Sequence, residues 1–113
     1  MDTKLEFLRG TLDVLILKSL VWGPLHGYAV TGLIRRQSDD ALLIEEGTLY
    51  PALWRLENKG LITSALGEPT AERGGKARTY FKPTATGLKE ARDAHNTLMR
   101  LSSRLPGAKG QLA

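Results

Sequence analysis

The chain has 113 residues, 42% hydrophobic and 25% charged, with a formal net charge of +4 at pH 7, which predicts one globular domain. Zero cysteines exclude disulfides and thiolate chemistry, and two isolated histidines, His26 and His95, form no metal-binding pattern, so we expect neither metal nor cofactor. With no apolar run near the ~18 residues of a membrane span and no signal peptide at the start, we expect a cytoplasmic protein without membrane contact.

The first predicted helix covers residues 4–22, and its apolar side chains surround nearly the whole circumference. Such a helix must be buried on more than one side, so in a domain this small one side needs a partner chain. The residues assigned to this dimer contact are Leu8, Leu12 and Leu15. Trp22, at the end of the helix, is assigned to the core. A second helix is predicted from Gly27 to Gln37.

A third helix is predicted over about residues 47–59. Pro51 fits its first turn, where backbone N–H groups have no intrahelical partner. Gly60 at its end predicts a left-handed residue, with Leu61 packing back on Leu56 as in a Schellman motif. At 100° per residue the leucines share one face, and the opposite face is aromatic and basic. The outward residues are Tyr50, Pro51, Trp54, Arg55 and Asn58.

Strand-like runs at residues 61–66 and 77–82 flank a tip rich in Gly, Pro and Glu, and predict a β-hairpin wing over about 61–83. Three helices followed by a hairpin are the order of a winged helix-turn-helix, in which the third helix enters the major groove and wing cations meet phosphates. The predicted fold class is therefore mainly α with a small β-hairpin (α+β). The wing cations are Arg73, Lys76, Arg78 and Lys82.

A last helix is predicted from a cap at Thr84 to about residue 105. Its apolar residues recur at spacings of three and four, the pattern of a seam between helices. That seam comprises Ala91, Ala94, Leu98, Leu101 and Leu105. The alternative, that the stripe only covers the domain's own core, stays open here. We divide the chain into a DNA-binding domain (1–83), a dimerisation helix (84–105) and a disordered tail (106–113).

Four stretches resemble signature sequences of the PadR family of transcriptional regulators over about residues 8–100: LRGTLDVLILKSL, HGYAV, GTLYPALWRLENKGLI and RTYFKPTATG. The resemblance implies a winged-helix DNA-binding homodimer, usually a repressor, joined through its first and last helices. It assigns the recognition helix Thr48, Tyr50, Pro51 and Arg55. It assigns the wing strand Arg78, Tyr80 and Lys82. The resemblance leaves open a small-molecule effector, which the sequence does not identify.

Three residues of the wing strand, Thr79, Phe81 and Pro83, stand where the PadR family more usually has lysine, tyrosine and leucine. Because proline cannot donate to a β-ladder, we expect the hairpin to stop short at Pro83.

Three function classes follow from these features. The leading one is a sequence-specific regulator, a repressor that binds an inverted-repeat operator in double-stranded DNA as a homodimer. The alternative is a winged-helix module that binds protein without DNA; Arg55 and the wing cations argue against it. A structural role for the outward face also stays open, since Arg55 could pair with Glu45 or Glu46. An enzyme is excluded because no catalytic residue set can be assembled.

Overall fold

The computed structural model describes residues 3–104, without the side chains of residues 3–9 and residue 73. The helices are α1 (Thr3–Ser19), α2 (Gly27–Gln37), α3 (Glu46–Asn58) and α4 (Ala85–Arg104), and the strands are β1 (Leu25–His26), β2 (Ile62–Leu66) and β3 (Thr79–Pro83). A 3-10 turn, Ala71–Arg73, lies in the loop between β2 and β3. This is the predicted winged helix-turn-helix with an added C-terminal helix. Leu105 and the predicted tail at 106–113 lie outside the described residues.

The core is one cluster to which α1, α2, α3, α4 and the sheet all contribute. Its largest fully buried side chains are Ile16, Leu20, Val30, Leu49, Leu53, Leu56 and Ile62. Because Ala91 of α4 belongs to the same cluster, α4 begins as part of the domain and is not appended outside it. The proposed division of the chain at residue 84 stays a prediction.

The sheet is antiparallel in the order β1-β3-β2, so the wing has a third strand that the sequence analysis missed. β1 has only two residues, with Leu25 opposite Phe81, and a run that short has no readable alternation. The hairpin ends at Pro83, as expected, although Pro83 itself still belongs to the ladder. Pro83 pairs with Ile62 as the last residue of β3, an end position at which the missing N–H is tolerated.

Helix α1 ends at Ser19, three residues before the predicted end. The hydroxyl of Ser19 donates to the carbonyl of Leu15 at 2.7 Å, and the N–H of Leu20 is shared between two carbonyls at 3.2 Å, so the last turn tightens. Trp22 then lies in the following turn and is 93% exposed. Its assignment to the core was wrong because it depended on the helix continuing to residue 22.

Helix α3 begins at Glu46, one residue earlier than the sequence suggested, which changes the position of Pro51. Pro51 is the sixth helical residue and lies beyond the first turn. It therefore removes the N–H that would bond to the carbonyl of Gly47, so the assumption that proline loses nothing here was wrong. The C-terminus is as predicted: Gly60 has φ 74°, and the N–H of Leu61 donates to Leu56 at 2.9 Å, as in a Schellman motif.

The connection between α2 and α3 contains two consecutive left-handed residues, Asp39 (φ 52°) and Asp40 (φ 66°). Aspartate tolerates this conformation better than most residues do. The carboxylate of Asp40 accepts from Nε of Arg35 at 2.8 Å, and this hydrogen bond raises the pKa of Arg35. Both side chains are exposed, so this ion pair contributes little to stability.

Helix α4 starts where α3 and the wing end, and Thr84 makes the connection as the predicted cap. Its hydroxyl accepts from the N–H of Gly87 at 3.0 Å and donates to the carbonyl of Gly60 at 2.7 Å. Gly87 is buried against the backbone of Leu61, and a Cβ on Gly87 would overlap the Leu61 carbonyl oxygen. The first turn of α4 therefore requires glycine at this position.

Candidate nucleic-acid interface

Helix α3 divides into a buried face and an outer face, as the leucine spacing predicted. Its buried residues are Leu49, Ala52, Leu53 and Leu56. On the opposite side, the 100° spacing aligns four exposed residues, which we call the outer face of α3: Gly47, Pro51, Trp54 and Asn58. Trp54 is 58% exposed. A rigid helix thus presents a proline, an indole and an amide to the surroundings.

Arg55, expected on the outward side, instead lies on the flank of α3 that faces α1. Its Nη2 donates to Oδ1 of Asp13 at 2.8 Å, and the side chains are only 33% and 15% exposed. The partner is therefore neither of the two glutamates weighed in the sequence analysis. The predicted contact of Arg55 with DNA stays a prediction, and the ion pair gives this arginine a structural contact in the protomer.

Tyr50 occupies the opposite flank of α3, facing α2. It is half-buried, and a Cβ on Gly27 would lie 2.7 Å from its hydroxyl oxygen, so the absence of a side chain at Gly27 allows the ring to pack there. Thr48, near the start of α3, is exposed. Of the predicted recognition residues, Thr48, Pro51 and Trp54 are accessible, whereas Tyr50 and Arg55 pack against neighbouring helices.

The base of the wing adjoins the start of α3 across a groove of about 450 Å³. Residues from α2, α3 and the wing line it: His26, Gly27, Tyr28, Glu46, Tyr50, Ala77, Arg78 and Thr79. The groove shows that the beginning of α3 and the cationic wing open to one side of the molecule. This is the arrangement that simultaneous contact with bases and phosphates requires.

The predicted wing cations differ in their surroundings. Lys76 and Lys82 are exposed, and Arg78 is half-buried. The side chain of Arg73 lies outside the described part of the chain. Lys76 follows two left-handed glycines, Gly74 and Gly75, in the loop between the strands. Two lysines are therefore directly available to an anionic partner.

His26 connects the wing to α2. Its Nδ1 accepts from the N–H of Ala29 at 3.1 Å and caps α2, and its Nε2 lies 2.5 Å from Nη1 of Arg78. The ring also meets Tyr80 edge-to-face at 5.6 Å. No local sequence pattern predicts the contact with Arg78, because the two residues are 52 positions apart.

A sequence profile of the transcriptional regulator PadR-like family matches residues 16–93. The chain belongs to this family. Its members are transcriptional regulators, which confirms the prediction that the protein is not an enzyme. Within the described residues, no group of histidine and acidic side chains could hold a metal ion, and no helix is long and apolar enough to cross a membrane.

Solved structures of regulators share the PadR-like fold. A transcriptional regulator from Clostridium thermocellum is 32% identical with a TM-score of 0.73, over 91% of this chain and 92% of that one. A PadR-like transcription factor from Bacteroides fragilis is 25% identical with a TM-score of 0.77, over 97% of each chain. Bacillus subtilis PadR, solved with operator DNA, shares the fold at 24% identity and a TM-score of 0.63, over 73% of this chain and 45% of that one.

The predicted seam on α4 of this PadR-like chain falls into two parts. Ala91 is 5% exposed and lies in the protomer's own core, and Ala94 is half-buried. Leu98 and Leu101 are 58% and 55% exposed. The alternative that the stripe covers the domain's own core thus describes its first part, and the exposed leucines of the seam lie beyond Ala94.

On α1, the predicted dimer residues Leu12 and Leu15 are half-buried and pack on the core, and the side chain of Leu8 is outside the described set. The exposed Trp22 borders a groove of about 350 Å³ between α1 and α2. Leu15 and Leu33 also line this groove. An exposed indole beside an apolar groove is a feature of interaction surfaces.

Proposed function

We propose that this PadR-like protein is a repressor that binds an inverted-repeat operator as a homodimer. The observation that carries the proposal is the outer face of α3. Its four residues are exposed on a helix whose opposite face is in the core, and the start of that helix borders a groove with the base of the wing. Bacillus subtilis PadR, which has the same fold, was solved with operator DNA, and this supports a DNA-binding role here.

Base reading is assigned to the outer face of α3 together with Thr48. Asn58 and Thr48 supply hydrogen-bonding groups, and Pro51 and Trp54 supply apolar surface of the kind that contacts the methyl group of thymine. Gly47, without a side chain, allows close approach of the helix to DNA. The start of a recognition helix is the part that enters the groove in helix-turn-helix proteins, and Gly47, Thr48 and Pro51 lie there.

Affinity is assigned to the wing, where Lys76 and Lys82 are exposed. Contacts of lysine with phosphates release counterions and carry no sequence information. Their contribution should therefore fall as salt rises and be equal for cognate and random duplexes. Because chromosomal DNA is the partner, the proposed site of action is the cytoplasm.

The homodimer is assigned to the exposed leucines of α4 with the adjoining surface of α1. Leu98, Met99 and Leu101 are each more than half exposed, and a second copy is the partner that would bury them. Two copies of α3 would then read half-sites whose centres are about one helical turn, ~34–36 Å, apart. A small-molecule effector stays a prediction.

The test begins with selection of genomic fragments by purified protein, followed by binding to the recovered duplex. We expect an inverted repeat, and we expect the fluorescence of Trp54 to change on cognate DNA in the variant Trp22→Phe, which leaves Trp54 as the single tryptophan. The matched control is Trp54→Phe, in which the signal comes from Trp22 and should stay constant. Recovery of no preferred fragment would favour the protein-binding alternative.

A further inference from the structure

The strongest unexplained feature of the interface is the ion pair between Asp13 of α1 and Arg55 of α3. Nη2 of Arg55 lies 2.8 Å from Oδ1 of Asp13 across 42 residues of sequence. In the described part of the chain, two other ion pairs occur, and their side chains are 58–71% exposed. The Asp13 carboxylate is only 15% exposed, so water screens this pair far less than the other two.

Arg55 is close enough to the outer face of α3 to affect binding. It lies four residues after Pro51, so the two side chains are neighbours on the helix surface. An arginine at this place is a strong phosphate ligand if its guanidinium is free to turn outward. Asp13 instead holds the guanidinium on the α1 side, and one third of the side chain remains exposed.

We propose that Asp13 is a specificity-determining residue of the DNA interface, although it lies behind α3. It acts by withholding Arg55 from phosphates and by bracing α3, so that base reading by the outer face governs the preference for the operator over random DNA. The inference rests on the proposed DNA-binding function. It assigns Asp13 a positioning role, exercised through Arg55.

Loss of the Asp13 charge should therefore strengthen binding to the wrong DNA. A released Arg55 adds a phosphate contact that is indifferent to sequence, and each such contact steepens the slope of log affinity against log salt by about 0.9. With one Arg55 per protomer, a dimer gains up to two contacts, which corresponds to about a tenfold rise in non-specific affinity at low salt. The cognate complex gains less because α3 has lost a brace, so the specificity ratio falls.

The experiment compares wild type with Asp13→Asn on a cognate and a random duplex over a series of salt concentrations. Asparagine keeps the size of the side chain but replaces the charged acceptor with a neutral one, which weakens the bond that holds Arg55. The matched control is Asp93→Asn, which removes one carboxylate from an exposed pair with Lys89 on α4. We expect a steeper salt slope on random DNA for Asp13→Asn and the wild-type slope for Asp93→Asn.

Two further variants separate positioning from a merely structural role. The double variant Asp13→Asn/Arg55→Gln has no cation to release, so its salt slope should return to the wild-type value. Arg55→Gln alone should also keep the wild-type slope on random DNA, because Arg55 does not reach phosphates in the wild type. This second measurement does not depend on whether Asp13→Asn folds.

The results that overturn the inference are distinct from those that overturn the function. Suppose that wild type prefers its operator. Asp13 does not withhold Arg55 if Asp13→Asn leaves the slope of log affinity against log salt on random DNA unchanged. The same conclusion follows if Arg55→Gln flattens that slope by about 0.9 per protomer. Equal steepening in Asp93→Asn would show a general charge effect and would also overturn it. If wild type prefers no duplex, the proposed function itself fails.

Discussion

Helix α3 and the second half of α4, residues 95–104, are held in opposite ways. One face of α3 is in the core, its flanks contact α1 through Arg55 and α2 through Tyr50, and its C-terminus is closed by Gly60. By contrast, every residue of 95–104 is exposed. One helix is fixed by its own chain, and the other has a long exposed segment, in which Nδ1 of His95 lies 3.2 Å from Nζ of Lys18 of α1.

The exposed surfaces of the two segments differ in chemistry as well as in support. The outer face of α3 shows one indole, one proline, one glycine and one amide, a mixture suited to a polar, grooved partner. The second half of α4 shows Leu98, Met99 and Leu101, which are suited to another apolar surface. A fixed helix can bind a partner at low entropic cost, whereas an exposed apolar helix buries most surface against a second copy.

The largest effect on stability is expected where the supported part of α4 begins. Gly87→Ala places a Cβ into the Leu61 carbonyl, and this backbone atom cannot move aside without displacing β2 or α4. We expect the free energy of unfolding to fall by roughly 3 kcal/mol or more, because overpacking against backbone has no inexpensive relief. Thermal unfolding by circular dichroism measures it.

The control is Gly47→Ala, also within a helix, where a Cβ meets nothing within 4 Å. Its melting temperature should equal or exceed that of wild type, since alanine favours helix more than glycine does. Similar melting temperatures for Gly87→Ala and wild type would show that α4 is not fixed at this contact.

Substitutions in the second half of α4 should have the opposite effect: the dimer is lost and the fold of the protomer is kept. Leu98→Glu with Leu101→Glu would bury carboxylates in the proposed dimer contact, at several kcal/mol, and so weaken dimerisation by more than about a hundredfold. The isolated protomer should keep its helical circular dichroism because both leucines are more than half exposed. Sedimentation velocity distinguishes monomer from dimer.

The control Arg100→Glu changes the net charge by the same two units on the side of α4 away from Leu98, Met99 and Leu101, and should leave the dimer unchanged. A dimer that persists in the leucine variant would place the contact elsewhere, and a monomeric wild type would end the dimer proposal.

The smallest effect is expected on the Tyr50 flank of α3. Gly27→Ala brings a Cβ to 2.7 Å from the Tyr50 hydroxyl oxygen, and the half-buried ring can give way only in part, so a loss of about 1–2 kcal/mol follows. Tyr50→Phe removes that oxygen, and the double variant should therefore lose less than the sum of the two single losses. Urea unfolding of all four proteins completes the cycle. Strict additivity would show that Tyr50 does not brace α3 against α2.

The features of α3 that depend on nearby residues could be predicted from the sequence, whereas its contacts with distant parts of the chain could not. The leucine spacing and Gly60 fixed its faces and its end, because both depend on residues within one or two turns. The partner of Arg55 depends on α1, and the contact of Arg78 with His26 depends on a two-residue strand. Neither contact produces a periodic pattern in the sequence, so the helical spacing alone predicted an outward position for Arg55.

In α4 the apolar stripe was predicted correctly, but its first part is buried in the protomer's core and its second part is exposed. Ala91, Leu98 and Leu101 share one stripe, but the pattern does not say where along the helix the domain ends. The structure puts that limit near Ala94, which is half-buried. The misplacement of Trp22 has a similar origin, since the apolar run continues past the hydrogen bonds that end α1 at Ser19.

Thr84 has a consequence for the operator itself. Through bonds to Gly60, Leu61 and Gly87, it joins the end of the reading helix to the start of the proposed dimer helix without an intervening linker. In a dimer formed through α4, the two copies of α3 would therefore keep a fixed separation. One base pair inserted between half-sites rotates one of them by about 34° about the duplex axis. Because the junction between α3 and α4 is held by hydrogen bonds, the DNA itself would have to twist to restore contact between both helices and their half-sites.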